Sequence, residues 1–86
     1  MRTERQHEID RALARTLLHL GGYLLPERAL RDKIEMSIHP QPTPGEMEGA
    51  IRNADAEGRL TKVPGDTGFK YTLSDKGRAW ADQQHL

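Results

Sequence analysis

The sequence predicts an α+β fold: a three-helix body, a two-stranded β-hairpin and a C-terminal helix, in one domain spanning residues 1–86. Three observations carry this. Apolar residues recur at steps of three and four in three successive segments, the pattern that an amphipathic helix buries. Helix start and stop signals separate those segments, among them Thr43-Pro44-Gly45-Glu46 and the glycines at 21, 22 and 58. Residues 60–73, LTKVPGDTGFKYTL, place two strand-like runs on either side of a glycine-containing turn.

In residues 3–20, Ile9, Ala12, Leu13, Thr16, Leu17 and Leu20 form the first apolar stripe, with Glu4, Glu8, Arg11 and Arg15 on the opposite, solvated side. Leu18 lies off the stripe and suits either a neighbouring segment or a contact between copies. Gly21-Gly22 ends the helix, because glycine enters the left-handed conformation without steric cost. Tyr23-Leu24-Leu25 reads as a short extended connector, the short strand in an order of helix, strand, helix, helix, hairpin and helix. Pro26 suits the first turn of a second helix, PERALRDKIEM, where its missing N–H is no loss. That helix would bury Ala29, Leu30 and Ile34, and the X-Pro bonds of SIHPQP end it.

The third helix carries the clearest start signal. Thr43 can accept from the amide of Glu46 while the Glu46 carboxylate reaches back to the amide of Thr43, a capping box. Met47, Ala50, Ile51 and Ala54 form its buried stripe, and Gly58 stops it. In the hairpin, Phe69, Tyr71 and Leu73 alternate with Lys70 and Thr72, giving an apolar and a polar face. Two registers are possible, placing either Leu60 or Val63 with the aromatic residues. The one opposing Leu60 to Leu73 is favoured as a cross-strand core pair. Ser74 caps the last helix, DKGRAWADQQ, whose Trp80 and Ala81 face inward, with Trp80 expected against the first helix.

Composition narrows the function classes. No cysteine is present, so disulfides and thiolate metal sites are excluded. No apolar run of about 18 residues spans a membrane, and the charged start MRTERQHEID lacks a signal-peptide stretch, so a cytoplasmic protein is expected. His7, His19, His39 and His85 are scattered, with no helical metal-binding pair and no glycine-rich phosphate loop. No enzyme activity, metal or cofactor is expected. Thirteen basic residues balance thirteen acidic ones. Residues 37–58 carry one basic and four acidic groups, whereas residues 59–86 carry five basic and three acidic. The cationic excess therefore sits with the hairpin and the C-terminal helix.

The element order resembles the winged helix-turn-helix superfamily. The close, AEGRLTKV, then a turn, then KYTLSDKGRAW, is similar to that of many small bacterial regulators, through Gly58, Leu60, Tyr71, Leu73, Ser74 and Gly77. As topology the likeness covers nearly the whole chain; as a tight motif it covers about residues 56–80. It implies a DNA-binding or transcription-regulatory module, its third helix toward a groove of double-stranded DNA and its wing lysines toward phosphates.

At about 100° per residue, the outward face of the third helix comprises Gly45, Gly49, Arg52 and Ala56, with Asn53 and Glu48 at its margins. Arg52 and Asn53 are of the types that read guanine and adenine edges. Thr43 and Gly45 stand at the helix start, whose free amides can receive a phosphate, although Glu46 already places a negative charge there. Arg59 at the wing base, with Lys62 and Lys70 near its tip, completes the candidate DNA-binding set. Each residue also has a plainer role: Arg52 paired with Glu48, and lysines that keep a short ribbon from pairing edge to edge. If about three cations per chain touched phosphates, affinity would fall with a log–log salt slope of about −3, roughly doubled in a homodimer. A winged helix that docks on a protein instead of DNA is the competing reading, suited by the acidic third-helix segment and the zero net charge.

Overall fold

The first helix, α1 (Glu4–His19), begins at a capping box that the sequence carries as Thr3-x-x-Gln6. The Thr3 hydroxyl accepts from the Gln6 amide at 3.1 Å, and the Gln6 side chain accepts from the Thr3 amide at 2.9 Å. The structure, a computed structural model, describes residues 2–86. α1 is buried on more than one side because the other helices and the sheet pack around it. Ala14 and Asp10 are therefore buried along with Ile9, Ala12, Leu13 and Leu17, while Thr16 and Leu20 of the expected stripe are only half-buried. Leu18 packs against the same core, so the structure gives it a place within the chain. Asp10 tolerates burial because Arg2 grips both its oxygens, at 3.1 and 2.7 Å.

The connector after α1 does more than link helices. β1 (Leu25–Pro26) pairs antiparallel with the returning strand of the hairpin, Leu25 opposite Tyr71 and Pro26 opposite Lys70. The sheet thus has three strands in the order β1-β3-β2, one more than the hairpin alone. A proline is tolerated there because β1 is an edge. Pro26 also stands one position earlier than expected: it is the N-cap of α2 (Glu27–Ser37), with φ −57° and ψ 146°, outside the first helical turn. Leu30 and Ile34 are buried beneath α2, and Ala29 is half-buried.

α3 (Pro44–Ala56) starts at the expected capping box, with the Glu46 amide 3.1 Å from the Thr43 hydroxyl and the Thr43 amide 3.0 Å from the Glu46 carboxylate. Met47, Ala50, Ile51 and Ala54 are all buried. Then β2 (Leu60–Gly65) and β3 (Gly68–Leu73) form the hairpin in the favoured register, Leu60 opposite Leu73 and Val63 opposite Lys70. Gly68, at φ 128°, needs to be glycine for its backbone. Gly65 needs to be glycine for space instead: a Cβ there would stand 2.8 Å from the Gly68 carbonyl oxygen.

Ser74 caps α4 (Asp75–Gln83) by accepting from the Gly77 amide at 3.0 Å. One contiguous core joins α1, α2, α3 and α4 to Leu60, Tyr71 and Leu73 on the inner face of the sheet. Among the described residues, no helix is long and apolar enough to cross a membrane.

Candidate functional site

The outward face of α3 is slender. Gly45, Glu48, Arg52 and Ala56 are exposed, and Gly49 and Asn53 are half-buried. A Cβ at Gly49 would meet nothing within 4 Å, so this glycine leaves backbone bare without being required by packing. The Arg52 side chain is 75 % exposed, its guanidinium 2.8 Å from Glu48 one turn back. Thr43 is engaged as the cap. Glu46 is engaged twice, since Arg5 of α1 also reaches it at 3.2 Å while donating to the Pro40 carbonyl at 2.8 Å. The Thr43 amide, followed by Arg5, holds the Glu46 carboxyl below the usual carboxylate range. The start of α3 is therefore already supplied with an anion from within the chain.

Strand register distributes the wing cations. Leu60, Lys62, Phe69, Tyr71 and Leu73 share the inner face, whereas Thr61, Val63, Lys70 and Thr72 share the outer one. Lys62 and Lys70 therefore leave the ribbon in opposite directions. The Lys62 ammonium stands 3.2 Å from Asp55 at the end of α3 and 4.8 Å from the centre of the Phe69 ring. The stem of Lys70 crosses Gly65, with Cγ and Cε within 3.4 Å of where a Cβ would stand, and so runs toward the tip.

Arg59 does not occupy the exposed position expected at the wing base. It is only 4 % exposed. Its guanidinium stacks 4.3 Å from the centre of the Trp80 ring, with Glu57 3.4 Å from its Nε. The reason is the start of α4, which sits against the Gly58–Arg59 link between α3 and β2. It brings Gly77 onto the Arg59 carbonyl and Trp80 onto its side chain. Trp80 in turn meets His7 of α1 edge-on at 6.0 Å. Arg59 cements the wing to the body and is not presented to a phosphate.

Between α2, α3 and the inner wing face lies a cleft of about 210 Å³, lined by Glu27, Arg31, Arg52, Asp55, Lys62 and Phe69 among others. Every cation here faces an acid: Arg31 meets Glu27 at 3.1 Å, Arg52 meets Glu48 and Lys62 meets Asp55. At the floor, the Tyr71 hydroxyl donates to Glu27 at 2.9 Å. Burial, then Glu27, pushes the Tyr71 pKa up to about 12. Elsewhere, Arg11, Arg15, Arg28, Lys33, Lys70 and Lys76 have no carboxylate partner among the described residues. Lys70 is the one of these on the hairpin.

Of the candidate residues, the structure gathers Gly45, Gly49, Arg52 and Asn53 along one face of α3. It sets Lys62 beside that helix, places Lys70 on the far side of the ribbon and buries Arg59. Asp55 and Phe69 line the cleft although neither was among the candidate residues; Phe69, read only as part of the hairpin's apolar face, is 42 % exposed. Among the described residues, no cluster of His, Asp or Glu is placed to hold a metal ion.

A helical body, a three-stranded sheet edged by the strand before α2, and a hairpin standing beside α3 make this a winged-helix fold. The chain is similar to F93 from STIV, a winged-helix DNA-binding protein, with a TM-score of 0.72 and 19 % sequence identity over 93 % of this chain and 85 % of that one. No protein-family model and no curated protein sequence matches.

Proposed function

We propose that residues 1–86 act as one DNA-binding winged-helix module of regulatory type, non-enzymatic, with the open face of α3 toward the major groove and the wing against flanking phosphates. The observation that carries this reading is the superposition of 93 % of the chain on a winged-helix DNA-binding protein. The geometry of α3 supports it. With glycine at 45 and 49, the helix can approach a groove about 12 Å wide closely. Arg52 is held only by an exposed i,i+4 pair, worth about 0.3–0.5 kcal/mol. Little therefore holds Arg52 back from a base, and a bidentate contact to guanine would supply about 1–3 kcal/mol of discrimination against other bases.

Fluorescence anisotropy of a labelled mixed-sequence duplex at low salt tests this. We expect saturable binding that weakens with a log–log salt slope of about −2 to −3 per chain. Absence of binding to any duplex at micromolar protein would overturn it. A specific observation favours a second reading, docking on a protein: the cleft beside α3 is charge-balanced pair by pair. Recovery from the native host of protein complexes free of nucleic acid would select that reading.

A further inference from the structure

The two wing lysines have different surroundings, and we infer that they have different jobs: Lys62 is a positioning residue that ties the wing to α3 through Asp55, and Lys70 alone carries the wing's phosphate contact. This rests on the DNA-binding reading for Lys70 but not for the tie.

Lys62 leaves the inner face of β2 and meets Asp55 at 3.2 Å, across the turn joining α3 to the wing. Phe69, its diagonal neighbour on β3, lies 4.8 Å beneath the ammonium. The ammonium thus joins three elements: the end of α3, β2 and β3. To reach a phosphate it would have to leave both a carboxylate and an aromatic face. Lys70 would leave nothing, since no carboxylate among the described residues pairs with it. Its neighbours on the outer face are the uncharged Pro26, Thr61, Val63 and Thr72, and its stem already runs over Gly65 toward the tip. An incoming phosphate on that face meets one free positive charge and no carboxylate from the strands.

The test compares the unaltered protein with Lys62→Met and Lys70→Met, which keep the stems and remove the charges. Duplex affinity is measured by anisotropy across a salt series. Lys70→Met should weaken binding to every duplex and reduce the magnitude of the salt slope by about 1, while Lys62→Met leaves the slope unchanged. In the free protein, amide exchange across residues 60–73 should quicken equally in Lys62→Met and Asp55→Asn and stay unchanged in Lys70→Met. A slope reduced by about 1 in Lys62→Met, or unchanged in Lys70→Met, would overturn the division of roles. Unchanged exchange in Lys62→Met and Asp55→Asn would overturn the tie. If the unaltered protein binds no duplex, the assignment of Lys70 falls with the DNA reading, and exchange still decides the tie alone.

Discussion

The base of the wing and its tip are made from the same two strands but are held very differently. At the base, Leu60 faces Leu73 inside the core, Tyr71 donates to Glu27, and Arg59 is enclosed by Trp80. The Ser74 hydroxyl serves two elements, capping α4 and donating to the Gly58 carbonyl. At the tip, residues 66–70 are exposed, and the strands face each other as Gly65 and Gly68. Dense mutual dependence at one end leaves the other end available for contacts from outside. A residue's distance along the ribbon thus decides whether a substitution reads out as stability or as binding.

The strongest way to break this comparison is Gly77→Ala. A Cβ at Gly77 would collide with the Arg59 carbonyl oxygen and stand 3.1 Å from Leu73 Cδ2. The first of these is backbone and cannot rotate away, so α4 must shift and lift Trp80 from Arg59. We expect a loss at or above the top of the roughly 1–3 kcal/mol range for overpacking, measured by urea unfolding. A loss of only a few tenths would mean that the base yields as easily as the tip.

Tyr71→Phe should cost less, about 0.5–1.5 kcal/mol, by removing the hydrogen bond to Glu27. It also carries a pH signature. The folded pKa of about 12 lies above the ordinary tyrosine value near 10, so the folded state holds the proton more tightly than the unfolded state. The contribution is therefore complete below about pH 10 and is lost as pH rises toward about 12. Unfolding midpoints of the unaltered protein should fall across that window more steeply than those of Tyr71→Phe. Parallel curves would show that the hydroxyl does not couple the wing base to α2.

These contrasts were only partly visible in the amino-acid order. The register was legible because Leu60 and Leu73 are the apolar residues nearest the two ends of the hairpin and each needs a buried partner. That register already implied opposite faces for the lysines, since two steps inward from Leu60↔Leu73 put Lys62 beside Tyr71, which alternates with Lys70. Grouping both lysines at the tip by type concealed it. The burial of Arg59 was not legible, because its enclosing partner, Trp80, comes from a separate helix and a charge in sequence reads as exposed. β1 was legible as a short extended stretch, at Tyr23-Leu24-Leu25, but its bounds and partner were not. Two residues, one of them proline, show no periodicity, and only pairing with β3 fixes the strand at Leu25–Pro26.

The smallest expected effect is the sharpest on the tip. Lys70→Met, which should weaken duplex binding, should change unfolding free energy by no more than about 0.5 kcal/mol, because the lost ammonium has no carboxylate partner on the outer face. Lys62→Met, three strand positions from the tip, should show a larger loss in the same urea titration, since an ion pair and an aromatic contact go together. The order of the two values matters more than either one. If Lys70→Met were the more destabilising, its side chain would be supporting the ribbon, and the outer face would belong with the base as structure and not with a partner's surface.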